Sequence, residues 1–293
     1  MFNIIAYMKL KNIGFFADII LLFVTILWGL TFVTVKDGVK SSSFSLFIFL
    51  RFFIATILLF PFTFKRFKNV IKRNIYDGVI LGIFVFAGFY LQTAGLKYTT
   101  PSRSAFITGL SVIIVPFLSI FFLKKRINFF TFLALIFSVI GLIFIFNPSF
   151  SSGMNLGDIL TLACAFIFAF VIIFVQIFNR RNDSFILVFI QFMTVSLLSF
   201  IFIFFEGFYL SLNKNFYIGM FYTSVFATFI ALLLQNRFQK DTDEVRAGII
   251  YTLEPVFASI FSYLIYGERF TIGFLIGSTL IFVGFLISKI FVK

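Results

Sequence analysis

The sequence predicts an all-α, polytopic membrane protein with ten transmembrane helices, arranged as two inverted five-helix repeats. The 293 residues are 61% hydrophobic and the mean hydropathy is +1.12, whereas soluble domains are about 45–50% apolar. Apolar runs of about 18–20 residues, long enough for a helix to cross a bilayer, recur along the whole chain. The second half also repeats the pattern of the first.

Short polar connections rich in Gly, Pro, Ser and Asp separate the apolar runs, as in "KDGVKSSS", "TTPSR" and "NPSFSSG". Such residues break helices. We expect helices over 15–35, 44–63, 78–96, 104–123, 128–146, 157–178, 184–205, 215–236, 247–266 and 271–290.

The basic residues indicate how the chain is oriented. Of the 24 Lys and Arg residues, 17 lie in the two tails and the even-numbered connections, and only six lie in the odd-numbered ones. Cytoplasmic connections carry the excess of Lys and Arg in membrane proteins. We therefore expect a multi-pass protein of a bacterial-type plasma membrane (the cell inner membrane), with both termini cytoplasmic.

The repeat is visible when the chain is aligned with itself. An offset of 140 places "ADIILLF" (17–23) on "GDILTLA" (157–163), and an offset of 143 pairs Gln92 with Gln235 and Arg103 with Arg246. We divide the chain into a cytoplasmic tail (1–14), a first repeat (15–147) and a second repeat (157–290).

Because each repeat has an odd number of helices, the second copy crosses the membrane in the opposite sense. Inverted repeats are typical of carriers with alternating access to a site at the bilayer midplane. A duplication that only enlarges a structural bundle is the alternative.

The composition excludes several classes of function. The chain has no histidine, and Cys164 is its only cysteine, so neither a disulfide framework nor a His/Cys metal site is expected. The G-x-x-x-x-G-K-[ST] and G-x-S-x-G motifs are absent. The net charge of +13 lies in short loops, so it indicates membrane orientation and no nucleic-acid partner. We expect no cofactor; the partners are a small-molecule metabolite and the lipid bilayer.

Several segments carry a family resemblance: "LWGLTFVTVKDG" in the first span, "ITGLSVIIVPFLSIFFLKKRI" in the fourth, and "YTLEPVFASIFSYLIYGERF" with the following span. Together they resemble the EamA-type family of the drug/metabolite transporter superfamily over essentially the whole chain. The resemblance implies a ten-helix secondary carrier, commonly an exporter of amino acids or similar small metabolites. The first half departs from the family pattern, because "LKKR" replaces the commoner "GER".

Two ionisable residues lie deep inside predicted spans. Arg51 and Glu254 are each about eight residues from a span end, which is some 10–12 Å deep in a helix. A charge at this depth is costly and faces the bundle interior. Arg51 could attract an anionic group such as a carboxylate, and Glu254 an amino group or a proton. Alternatively, the two could pair with each other or with backbone carbonyls.

Polar and aromatic residues near these charges complete the candidate substrate site. Thr25, Trp28 and Thr31 share one face of the first helix. Tyr251 shares the face of Glu254, and Gln191 is the repeat equivalent of Arg51. Tyr90 and Gln92 lie near the outer end of the third helix and Gln235 near the inner end of the eighth. The two mirrored glutamines, Gln92 and Gln235, could be gate residues or interfacial hydrogen bonders.

Pro255 should interrupt the ninth helix, because it leaves the carbonyl of Tyr251 without a donor, and Pro116 should do the same in the fourth. Asp18 and Asp158 open matched helices, which predicts a capping role. Gly273 and Gly277 form a GxxxG step in the tenth helix, which indicates either intramolecular packing or a possible homodimer face.

From the sequence we expect a secondary transporter that moves a small polar metabolite, an amino acid or a related compound, out of the cell by alternating access. A proton gradient, with Glu254 as the titrating group, and exchange of two metabolites are both compatible driving forces. A membrane channel or scaffold and an intramembrane enzyme are the alternative functions.

Overall fold

The computed structural model describes residues 2–32, 34–35, 41–146, 154–266 and 271–291, and it confirms the all-α prediction. Within these residues, nine helices are long and apolar enough to cross a membrane. A shorter apolar helix, Ile13–Gly29, precedes them and completes the expected ten. The "GER" segment at 267–269 and the connection at 147–153 lie outside the described residues.

We label the ten crossings α1 to α10 and mark the halves of the interrupted ones a and b. A 3₁₀ segment, Phe64–Asn69, follows α2, and a π-helical turn, Val225–Ile230, joins the halves of α8. The sequence predicts a tail over 1–14, whereas α1 already begins at Phe2. The bounds are α1 Phe2–Gly29, α2 Phe44–Thr63, α3 Lys72–Tyr98, α4a Pro101–Gly109, α4b Ser111–Leu123, α5 Phe129–Phe146, α6 Leu156–Phe178, α7 Ser184–Glu206, α8a Lys214–Ser224, α8b Ala231–Phe238, α9a Glu244–Tyr251, α9b Glu254–Tyr266 and α10 Ile272–Phe291.

The fourth and ninth crossings are interrupted at nearly equivalent positions. The break in α9 lies just before Pro255, as expected from its missing N–H. The break in α4 lies at Leu110, and Pro116 is inside the continuous helix α4b, so the expected interruption lies earlier than Pro116 itself. Leu110 (φ −63°, ψ −11°) and Thr252 (φ −67°, ψ −9°) have almost the same backbone conformation. Both halves therefore carry one helix that is broken near its middle.

Helices α2 and α7, which are equivalent in the two repeats, run antiparallel. Arg66, just beyond the end of α2, forms an ion pair of 2.6 Å with Asp183, the N-cap residue of α7. At the opposite end, Glu206 is the last residue of α7. Its carboxylate accepts hydrogen bonds from the backbone N–H groups of Phe44 (2.7 Å) and Ser45 (2.8 Å) at the start of α2. Since each helix begins where its equivalent ends, the two repeats are inverted.

Helices α5 and α10, another equivalent pair, pack against each other through glycines. A Cβ atom on Gly141 would lie 2.6 Å from the carbonyl oxygen of Gly277, and one on Gly284 would lie 2.8 Å from that of Ala134. Ala134 lies opposite Gly284, and Gly141, further along α5, lies opposite Gly277, which comes earlier in α10. This pair of helices is therefore also antiparallel. The GxxxG face of Gly273 and Gly277 is thus used inside the chain, which is the first of the two alternatives the sequence allows.

A buried carboxylate ties α6 to α4a. Asp158 forms the expected capping box with Asn155 at the start of α6, which confirms its predicted role. The same carboxylate accepts a hydrogen bond from the Thr99 hydroxyl (3.0 Å) and forms an ion pair with Arg103 (2.7 Å). Asp158 therefore joins the first helix of the second repeat to the fourth helix of the first.

The equivalent cluster in the other half joins α1 to α9a. Asp18 accepts a hydrogen bond from the Thr242 hydroxyl (2.7 Å) and lies 3.6 Å from the guanidinium of Arg246. The capping role predicted for Asp18 is wrong, because α1 begins at Phe2 and Asp18 lies well inside it. Thr242 and Arg246 follow Thr99 and Arg103 by the repeat offset of 143, so the two clusters are related by the inversion.

Candidate functional site

A cavity lies at the centre of the bundle, where both interrupted helices meet it. Gly109 and Pro255, next to the breaks of α4 and α9, belong to its wall, and α1, α2, α3, α6 and α8 supply the rest. The space between the lining atoms, including the mouth, is about 780 Å³.

Most of the candidate residues predicted from the sequence surround this one cavity. The three that do not line it make contacts of their own. The Thr25 hydroxyl donates to the carbonyl of Leu21 (2.8 Å). Gln191 is fully buried in α7, and the Tyr90 ring packs on the outer side of α3 against α7. The lining candidates are Trp28, Thr31, Arg51, Gln92, Gln235, Tyr251 and Glu254.

Arg51 is almost completely buried, with 3% of its surface exposed. Its Nε–H donates to the hydroxyl oxygen of Thr228 at 2.5 Å, and its guanidinium lies 4.6 Å from the ring centroid of Phe89. Within the described part of the chain, Arg51 makes no ion pair and no other hydrogen bond. The two Nη groups of a guanidinium can bind a carboxylate in a bidentate manner.

The partner of Arg51 belongs to a local distortion of α8. Thr228 and Ala227 lie in the π-helical turn, and the indole N–H of Trp28 donates to the carbonyl of Ala227 at 3.1 Å. Single π turns inside helices are frequent at functional sites. The π turn therefore accepts hydrogen bonds from both Arg51 and Trp28. Thr228 was not predicted from the sequence, because a threonine in an apolar run looks like any other packing residue.

Glu254 stands at the break of α9, as the first residue of α9b. Over the described residues its carboxylate has neither a hydrogen bond nor an ion pair, so the pairing with Arg51 that the sequence allowed does not occur. The side chain is half-buried at the cavity wall, where a carboxylate without a partner is costly. The position therefore favours a bound cation or a proton.

One wall of the cavity is a hydrogen-bonded cluster around Gln239. Its side-chain oxygen accepts from the Tyr251 hydroxyl (3.0 Å) and from the Gln235 amide (3.3 Å). Its amide donates to the carbonyl of Ile172 at 2.7 Å. The rings of Tyr251 and Trp28 lie 5.4 Å apart. These contacts join α6, α8b and α9a beside the cavity.

The equivalent positions in the first repeat carry different side chains. Gln92, the counterpart of Gln235, donates to the hydroxyl of Thr108 at 3.4 Å. Thr108 and Leu96 occupy the places of Tyr251 and Gln239 in the repeat. The two ends of the cavity therefore differ in chemistry although the backbone is symmetric.

Comparison with known proteins agrees with this architecture. The EamA-like transporter family matches residues 15–147 and 155–289. A transporter of Archaeoglobus fulgidus is 33% identical over 256 residues, which cover 87% of this chain and 80% of the relative. A transporter of Buchnera aphidicola is 26% identical and covers 85% and 86%. Neither is described beyond the word transporter.

The fold is also similar to that of a solved crystal structure. The TM-score is 0.75, and the match covers 93% of this chain and 96% of the other at 16% identity. At that identity the similarity concerns the fold alone. The family match across both halves shows that this multi-pass membrane protein belongs to the EamA-like transporter family.

Proposed function

We propose that the protein is a secondary transporter of the plasma membrane that exports a small polar metabolite, an amino acid or a related compound, by alternating access. The observation that carries the proposal is a pair of charged groups at one cavity, the buried Arg51 and the half-buried Glu254. The Nη groups of the first and the carboxylate of the second have no partner among the described residues. A zwitterion offers a carboxylate to the first and an ammonium to the second.

Alternating access is supported by the symmetry of the fold. The repeats are inverted, and each contributes one helix that is interrupted at the cavity. Inverted repeats and broken helices allow a fixed central site to face either compartment through two similar packings. Export is the direction implied by the resemblance to amino-acid exporters.

The test begins with binding. The purified protein is heated with a panel of amino acids, their amides and their decarboxylated amines, and the shift in melting temperature is measured. We expect stabilisation by compounds with both a carboxylate and an ammonium group. A panel in which only neutral or doubly anionic compounds stabilise the protein would contradict the site.

Transport by the stabilising compound is then followed in proteoliposomes. A carrier shows accelerated exchange of labelled solute when unlabelled solute is present on the opposite side, because its site must reorient. Flux that rises linearly with concentration and shows no exchange would indicate a channel. Chemical conversion of the solute would indicate an enzyme.

A further inference from the structure

Two connections meet at the end of the bundle that carries most of the basic residues. The connection from α2 to α3 is tied to that from α6 to α7 by the Arg66–Asp183 ion pair and by a hydrogen bond from Arg73 to the carbonyl of Arg181 (3.0 Å). The guanidinium of Arg181 also donates two hydrogen bonds, of 2.6 and 2.9 Å, to the carboxylate of Asp77. We call the cations of these connections the basic corner: Lys65, Arg66, Lys68, Lys72, Arg73, Arg180 and Arg181.

The basic corner has more positive charge than its own carboxylates neutralise. Asp183 and Asp77 are occupied by two of its arginines. Lys65, Lys68, Lys72 and Arg180 are exposed and have no ion pair with any described residue. The folded corner thus presents a fixed surface with several free cations.

A second basic connection at the same end of the bundle, that between α4b and α5, is different. Lys125, between α4b and α5, contacts both Asp243 and Glu244 at 2.6 Å. Burial acts to lower the pKa of Lys125, but these two carboxylates outweigh it and the pKa is raised. Because its central cation is neutralised within the chain, this connection offers less charge to an outside partner.

Exposed apolar side chains accompany the cations of the basic corner. Phe53, Ile57 and Phe60 form an exposed stripe along α2 that faces away from the bundle. The stripe continues past the end of the helix into the 3₁₀ segment, where Phe64 is 63% exposed and is followed by the exposed Lys65. Aromatic residues beside Lys and Arg at the end of an apolar helix are typical of the boundary between acyl chains and headgroups.

From this arrangement we infer that the basic corner is a binding surface for anionic phospholipid headgroups, with Lys65, Lys68, Lys72 and Arg180 contacting the phosphates. Acyl chains that pack along the exposed stripe of α2 place their headgroups next to these cations. A soluble anion has no acyl chain that could use the stripe. Clustered cations next to a transmembrane helix attract anionic lipids. The inference does not depend on the transported substrate.

The experiment compares two variants that lose the same charge. Lys65→Gln with Lys68→Gln removes two free cations of the corner, and Lys124→Gln with Arg126→Gln removes two exposed cations of the other connection. Each purified protein is titrated with phosphatidylglycerol or phosphatidylcholine in detergent, and bound lipids are counted by native mass spectrometry. Equal melting temperatures without lipid show that both variants are folded.

We expect the unmodified protein to prefer phosphatidylglycerol, the corner variant to bind it about tenfold more weakly, and the control variant to bind within about twofold of the original. Added salt should weaken the binding of phosphatidylglycerol. Equal losses in both variants, or equal binding of the two lipids, would overturn the inference. Full competition by glycerol 3-phosphate would assign the corner to a soluble anion and overturn it as well.

Discussion

Asp18 in α1 lies 3.6 Å from Arg246 in α9a, and the two residues join opposite halves of the protein. Their repeat equivalents, Asp158 and Arg103, make the same connection at the other end of the bundle at 2.7 Å. Both carboxylates are about 1% exposed. Inversion thus places one ion pair with a buried carboxylate at each end of the bundle, and both are formed in this structure.

If the carrier opens at one end at a time, loss of one ion pair should favour opening at its own end and closure at the other. In a variant with Cys164→Ala, accessibility is reported by Leu232→Cys in α8b or Ala105→Cys in α4a, two cavity positions in opposite halves of the membrane. We expect Asp18→Asn to raise labelling by an impermeant thiol reagent at the first position and to lower it at the second.

Asp158→Asn should have the reverse effect on both reporters. Each substitution removes the charge of a buried carboxylate and leaves its arginine without that partner, so the melting temperature should fall in both variants. If labelling rises at both cysteine positions, or falls at both, the ion pairs hold the two halves together but do not control access to the cavity.

Arg51 should be essential for the binding of a carboxylate. Arg51→Gln should weaken binding at least about 100-fold, because it removes charge-assisted hydrogen bonds that contribute about 1.5–3 kcal/mol each. Arg51→Lys should weaken binding less, because lysine keeps the positive charge although it lacks the planar guanidinium that forms two parallel hydrogen bonds. Ligand-induced shifts in melting temperature measure both. Gln191→Met, at the equivalent position outside the cavity, should bind normally.

Thr228 should act by orienting Arg51. We expect Thr228→Val to raise the KM for an amino acid about tenfold with little change in maximal rate, and Thr228→Ser to restore it. The matched control is Thr223→Val, because the hydroxyl of Thr223 in α8a bonds only within its own helix. If the two valine variants behave alike while Arg51→Gln abolishes binding, Arg51 belongs to the site but Thr228 does not orient it.

Glu254 is the residue to test for proton coupling. Glu254→Gln keeps the shape of the side chain but cannot titrate, so transport driven by a proton gradient should lose its dependence on pH. Exchange of labelled solute without a gradient should persist if the glutamine still binds the ammonium group. A pH profile and rate equal to those of the original protein would place the coupling, if present, elsewhere.

The α5–α10 contact can be tested by stability alone. Gly141→Ala should lower the melting temperature, because the new Cβ would lie 2.6 Å from the carbonyl oxygen of Gly277. Gly14→Ala is the control, since its Cβ would find only an ordinary contact of 3.5 Å. Equal melting temperatures for the two variants would contradict the close antiparallel packing.

The fold was largely predictable because apolar length, breakers and the repeat offsets are local properties of the sequence. Arg51 and Glu254 were recognisable for the same reason, since a charge within an apolar run stands out. The break before Pro255 follows from its missing N–H. The break of α4 at Leu110 has no comparable signal, because neither Gly109 nor Leu110 prevents a helix.

Contacts between distant residues could not be predicted with the same success. Asp18 looked like a helix cap because its partners, Thr242 and Arg246, lie more than 200 residues away. The repeat offsets already related Asp18 to Asp158 and Arg103 to Arg246, so a pairing across the halves was implicit. Thr228 gave no such signal, because its importance comes from the π turn and from Arg51.

The antiparallel contact between α5 and α10 has a consequence for the origin of the protein. Each of these helices presents its glycine face to its own counterpart, so one half offers a surface that is complementary to a second copy of itself. A half-length ancestor could therefore have assembled as a homodimer of oppositely inserted subunits. Gene fusion would then have freed the two copies to diverge, leaving an arginine on one side and a glutamine on the other.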